Sequence, residues 1–175
     1  MRDAGGPAWL GLPVALLLAA LVAPGAGAAD ASVALEGVSV RYDDARWQAT
    51  GGPRHVLFTP IGKEMRRMDP VDLRVVDGNG TCTDLALQAF AFGQYDTDGM
   101  ASVPIKVGGV AGDRFAAHTG CRNATPQGVV ICVKSGGYAY LLQSLNPGCS
   151  GRNLFSDVDP LDEIARGISF SPTAR

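Results

Sequence analysis

The chain has 175 residues, of which 46% are hydrophobic and only 18% charged, with 23 Gly and 11 Pro. Charge this far below the usual ~25% of a globular protein, with glycine well above the usual ~7%, points to many tight turns. Fifteen basic residues against seventeen acidic ones leave a net charge of −2, which argues against a nucleic-acid binder, since such proteins carry a basic face or stripe. One domain is the expectation at this length.

The first segment reads as an address. Met1 and Arg2 give a short positive start, and an apolar stretch follows from Ala8 to Val22. Pro24 and Gly25 break it, and Ala26-Gly27-Ala28 offers small residues for a signal peptidase. Gly11 and Pro13 interrupt the stretch, which is shorter than the ~20 residues of a membrane-spanning helix. Residues 1–28 are therefore expected to be a signal peptide, and 29–175 a single exported domain that is periplasmic or secreted. The first cysteine is Cys82, so no lipid-anchor cysteine stands near the cleavage site, and no stable membrane anchor is expected.

Export changes how Cys82, Cys121, Cys132 and Cys149 are read. An even count outside the cytosol favours disulfides, and no two of them have the spacing of a redox motif or a zinc site. Thr125-Pro126-Gln127-Gly128 reads as a type I turn midway between Cys121 and Cys132. Strands paired across that turn would set those two cysteines opposite each other, within disulfide reach. The expected pairs are thus Cys121–Cys132 and, by exclusion, Cys82–Cys149.

Along the mature chain, Val38, Val40 and Tyr42 alternate with polar residues as a strand, stopped by Asp43-Asp44. Trp47 opens a short second strand, and His55–Thr59 forms a third, ended by Pro60. Val71, Leu73 and Val75 alternate before the Asp77-Gly78-Asn79-Gly80 turn. From Thr83 to Phe92 a helix capped by Thr83 and carrying Leu87, Phe90 and Ala91 is favoured over a strand. Val103, Ile105 and Val107 alternate up to Gly108-Gly109. Strands at 114–119, 129–133 and 138–144 follow, the last two separated by Ser135-Gly136-Gly137, as an antiparallel meander. Asp159 then caps a helix that starts at Pro160, with Leu161, Ile164, Ala165 and Ile168 on one face and Gly167 at its end. Ile168-Ser169-Phe170 reads as a last short strand. The fold class expected from these elements is α+β, a meander sheet with a few helices packed around it.

Three of these segments share a pattern. The Val38–Tyr42 strand with its break and Trp47, the Gly137-Tyr138-Ala139-Tyr140-Leu141-Leu142 strand, and the closing helix into Gly167-Ile168-Ser169-Phe170 resemble the PsbP-like, Mog-type family. The similarity runs in order from Leu35 to Pro172, and the four cysteines stand outside the general family pattern. It implies an antiparallel sheet with helices around it and a non-catalytic role. Members include photosystem II accessory subunits, a nuclear-transport cofactor and secretion chaperones. This chain would be an exported bacterial variant, but the likeness transfers no particular function.

Catalytic signatures are absent from the sequence: it holds no G-x-S-x-G elbow, Walker A loop or H-E-x-x-H. Gly108 to Gly112 reads as a turn, and Asp96, Asp98 and Gly99 begin like a calcium loop that lacks its downstream bidentate Glu. His55 and His118 are the only imidazoles, and both suit structural positions on strands. His118 is the one placed to line a pocket, near Arg114 and Cys121. Lys63–Arg67 is a local basic run, and Trp47, Tyr138 and Tyr140 suit packing better than ligand stacking. Asn79-Gly80-Thr81 and Asn123-Ala124-Thr125 match the glycosylation pattern, but the Ala-, Gly- and Arg-rich composition looks bacterial and argues against their modification. The expectation is an accessory or binding domain without catalysis, cofactor or metal, whose partner is an envelope or secreted protein or a small ligand. A secreted hydrolase using His118 with a carboxylate such as Asp113 is the alternative.

Overall fold

A computed structural model describes residues 30–62, 69–92, 95–118, 128–145 and 160–171. Ten strands and two helices occupy them: β1 (Asp30–Leu35), β2 (Val38–Asp43), β3 (Trp47–Gly52), β4 (His55–Pro60), β5 (Val71–Asp77), α1 (Cys82–Phe92), β6 (Asp96–Val107), β7 (Val110–His118), β8 (Gly128–Ser135), β9 (Tyr138–Leu145), α2 (Pro160–Arg166) and β10 (Ile168–Phe170). Strands take 64% of the described residues and helices 16%. The expected α+β class is thereby corrected to a β-rich fold built on two antiparallel sheets. The helical signals at α1 and α2 are real, but their two short segments are minor beside two sheets.

The small sheet has the order β1-β2-β10, and the large one β3-β4-β5-β9-β8-β7-β6. Four pairs of sequence neighbours, β1–β2, β3–β4, β6–β7 and β8–β9, join through two-residue turns, which is what a glycine-rich chain favours. Gly108 and Gly109 (φ 53° and 81°) and Gly136 and Gly137 (φ 61° and 86°) each supply two consecutive left-handed residues. Side-chain-bearing residues avoid that conformation, and hairpins of this kind require it.

Alternation along the strands divides the large sheet into two buried faces. Val56, Phe58, Val71, Leu73, Val75, Ile131 and Leu142 point to one side, where they pack with β2, β10 and α2 in the larger core. Val130, Cys132, Leu141, Phe115 and Ala117 point to the other, beneath α1. The molecule is therefore layered, with the small sheet and α2 on one side, the large sheet in the middle and α1 on the far side.

Both helices follow from local chemistry. Thr81, not Thr83, caps α1: its Oγ1 accepts the Asp84 N–H at 3.1 Å while Asp84 Oδ2 accepts the Thr81 N–H at 3.0 Å. This reciprocal capping satisfies donors that the first helical turn leaves open. Moving the start shifts the apolar face to Cys82, Leu85, Ala86, Ala89 and Phe90, which meet the smaller core. Pro160 opens α2 as expected, and Leu161, Ile164 and Ala165 are buried in the larger core. Gly167 ends it, in a position where any Cβ would collide with the Arg41 carbonyl.

The disulfide pairing differs from expectation. Cys132 is joined to Cys82, with Cα atoms 5.6 Å apart, and not to Cys121. Cys132 lies on the same face of β8 as Val130, toward α1, and Cys82 heads the apolar stripe of that helix. The bond thus links helix to sheet across a layer instead of strand to strand. It also removes the Cys82–Cys149 pair, while Cys121, Cys149 and the turn between 121 and 132 lie outside the described residues. So do the Lys63–Arg67 run, the Asp159 cap, the Asn123 glycosylation pattern and the signal segment.

Candidate functional site

Among the described residues, α1 is the one helix on its face of the large sheet, and it covers one end of that face. Helix α1 packs on β6, β7, β8 and β9, leaving the β3–β4–β5 end of the same face to polar residues. Gln48 and Thr50 of β3 and His55 of β4 are exposed there, with Leu57 partly so, and Asp72 and Arg74 follow on β5. Their common orientation comes from strand period: they alternate with Trp47, Ala49, Val56, Phe58, Val71 and Leu73, which enter or border the larger core.

Register brings the charged members together. His55 pairs with Arg74 and Leu57 with Asp72 across β4 and β5. Asp72 Oδ1 lies 3.0 Å from His55 Nε2. Arg74 grips the same carboxylate with its fork, Nε donating to Oδ2 at 3.1 Å and Nη2 at 2.9 Å. Those hydrogen bonds push the Arg74 guanidinium above its usual range, against the opposing effect of partial burial. The Asp72 side chain is only 20% exposed, whereas His55 and Arg74 are 53% and 46% exposed. The carboxylate is therefore the fixed centre, and the imidazole and guanidinium are its two accessible arms. Such a cluster presents hydrogen-bond donors on both sides of a fixed acceptor and suits an anionic or hydrogen-bonding group.

Next to Asp72 across β5 and β9 stands Gln143, the only buried polar or charged side chain among the described residues at 4% exposure. Its Oε1 has no hydrogen-bond partner. The network therefore borders the α1-covered end of the sheet at a polar position.

The other sequence candidates are dispersed. His118 is exposed at the end of β7, and Asp113 lies on the opposite face of that strand, about 16 Å along it by the strand rise. A residue separation of five is odd, so the His118–Asp113 pair of the alternative reading does not assemble. The carboxylate across from His118 is that of Asp96, which accepts the Asp98 N–H at 2.9 Å in a local turn. Among the described residues no group of three or more His, Cys, Asp or Glu side chains is arranged to hold a metal ion. Trp47 is 1% exposed and donates its indole N–H to Glu163 Oε1 of α2 at 2.9 Å. Tyr140 stacks edge-on against Phe170, so these aromatics pack between layers.

A second polar knot closes the turn end of the molecule. Tyr138 donates to Glu36 Oε1 at 3.0 Å, and Arg54 bridges Glu36 and Asp77 at 3.0 and 2.7 Å. The Arg54 guanidinium also lies over the Tyr138 ring, 5.7 Å from its centroid. The Glu36 hydrogen bond raises the Tyr138 phenol above its ordinary range. This knot joins the β1–β2, β3–β4 and β8–β9 turns, so its role is to tie hairpins together.

The His55–Asp72–Arg74 cluster was not predicted as a site, because it depends on the pairing of β4 with β5. A carboxylate and an arginine two residues apart on one alternating strand were the signal available. No helix among the described residues is long and apolar enough to cross a membrane. No family model matches the chain, and no curated protein matches it either.

Proposed function

We propose that the chain is an exported, non-catalytic binding domain of the cell envelope that engages its partner through the β3–β4–β5 end of the large sheet. The observation that carries this reading is the His55–Asp72–Arg74 cluster, fixed by a half-buried carboxylate, with His55 and Arg74 exposed on strands that α1 does not pack against. The Cys82–Cys132 disulfide accords with an oxidising compartment. The signal-like start and the resemblance to PsbP-like accessory proteins point the same way.

Native mass spectrometry of the non-reduced protein from its own host tests this. The expected result is a stoichiometric complex with an envelope protein or a small ligand. A His55→Ala/Arg74→Ala variant should lose it while keeping the wild-type melting temperature. Retention of the partner by that variant would move the site elsewhere, and turnover of a substrate by the purified chain would refute the non-catalytic reading.

A further inference from the structure

Among the described residues, the large sheet ends in two strands with a single neighbour each, β6 and β3, and these edges are built differently. Edge strand β6 carries Pro104, Lys106, Asp96 and Asp98, and its register shifts between Asp96 and Ala101. A proline, charges and a bulge are the devices by which natural sheets prevent another strand from adding. Edge strand β3 has none of them. Its sequence, Trp47-Gln48-Ala49-Thr50-Gly51-Gly52, has no charge and no proline, and its ladder to β4 is continuous over all six residues. Among the described residues, only the strand's ends are tied to the small sheet. Arg46 N–H donates to the Asp43 carbonyl before it, and the Pro53 carbonyl accepts the Glu36 N–H after it. Gln48, Thr50, Gly51 and Gly52 are exposed.

We infer that β3 is a homodimer edge, pairing antiparallel with β3 of a second copy about a two-fold axis through Ala49. Side chains across an antiparallel pair share a face, and this register satisfies every position. Gln48 of each copy stands across from Thr50 of the other, two polar side chains on the open face. Ala49 meets Ala49, and Trp47, whose indole is buried in its own protomer's core and held by Glu163, meets Gly51, which brings no side chain to the pair. Exposed Asp44, in the turn before the strand, comes opposite Arg54, in the turn after it, once in each half of the dimer. Arg54 also holds Glu36 and Asp77 of its own protomer, so Asp44 would join that network as a further carboxylate. The small sheet's edge strand β1 lacks this complementarity. Centred on Val33, it would set Asp30 against Glu36, a like-charge contact at both ends. Self-pairing is thus favoured at β3 by neutral and polar contacts inside and opposite charges outside.

The dimer would fuse the two large sheets into one and set both His55–Asp72–Arg74 clusters on a single face. The inference rests on the strand edges alone and goes beyond the proposed binding role. One strand pair buries less than the roughly 800 Å² per partner of a standard interface, so the dimer dissociates on dilution.

Analytical ultracentrifugation of the purified protein, from low micromolar concentration upward, should show the weight-average mass rising toward twice the monomer. Gln48→Lys/Thr50→Lys opposes like charges in both cross pairs and should hold the protein monomeric throughout. Gln48→Lys/Thr50→Glu opposes unlike charges in the same pairs and should dimerise at least as tightly as wild type. Both positions are exposed and bear no side-chain bond in the fold, so melting curves should match wild type. Amide exchange at Ala49 and Gly51 of the wild type, whose N–H groups point away from β4, should also slow as concentration rises. A wild type that stays monomeric, a double-lysine variant that dimerises normally, or loss of the dimer in both variants would overturn the inference.

Discussion

The two cores on either side of the large sheet are held by different means. Among the described residues, the larger contains eighteen buried residues contributed by both sheets and α2, and no covalent bond crosses it. The smaller contains eight of the described residues, beneath the eleven-residue helix α1, and it is the one pinned by Cys82–Cys132. The contrast teaches where a disulfide matters. An isolated helix of this length is marginal in water, and a small apolar patch offsets little of the entropy lost on docking it. A bond from its first residue to the middle of β8 removes most of that freedom from the unfolded chain.

The largest expected effect lies in the larger core. Phe58 is 0% exposed and stacks edge-on against Tyr42; Phe58→Ala should cost roughly 3–5 kcal/mol, measured by denaturant unfolding. Removing the disulfide through Cys82→Ala/Cys132→Ala opens a link across 50 residues. The usual cost of such a loss is about 2–4 kcal/mol, visible as a lower melting temperature. A smaller loss than that would weaken the contrast between the cores.

Intermediate in size is the seam that locks α2 to the larger core. Glu163 accepts from both the Trp47 indole and Arg46 Nη2. Glu163→Ala strands both donors and should cost about 1–3 kcal/mol. Arg46 Nε is already buried without a partner, so little nearby can take over. The smallest effect belongs to the α1 cap, where Thr81→Ala should cost about 1 kcal/mol. The Thr81 side chain and backbone hold the Asp84 carboxyl below its ordinary range. A depressed carboxylate stabilises the fold above its unfolded value near ~4 and loses that contribution as pH falls through the lower folded one. The acid arm of the melting curve should therefore flatten in Thr81→Ala.

What was legible in the sequence is what local pattern determines. Val38–Tyr42 and Val71–Val75 alternate cleanly and are strands, Tyr138–Ser144 is the strand expected after the Ser135-Gly136-Gly137 turn, and Pro160 with its i, i+3, i+4 stripe marks α2. Strand β1 is weakly marked because the alternation of Ala31, Val33 and Leu35 is short and merges with the alanine-rich, unperiodic residues before it. The start of β6 was hidden because Asp96, Asp98 and Gly99 read as a turn, which they are, inside an irregular strand. The disulfide could not be read from a turn midpoint. Its partner choice depends on Cys132 facing α1, and that requires knowing which side of the buried run Val129–Val133 the helix covers. The cap displacement from Thr83 to Thr81 concealed the stripe that begins at Cys82. His55 and Asp72 meet only through strand register, a long-range property, so the sequence pointed to the less organised His118.

The most direct test of the central claim, that the disulfide anchors the smaller core while the larger stands without a covalent link among the described residues, is native-state hydrogen exchange. Amide protection should be compared between wild type and Cys82→Ala/Cys132→Ala. The account predicts that protection falls selectively in α1 and is retained in β2, β4 and β5. Equal loss across both cores, or unchanged protection in α1, would contradict it.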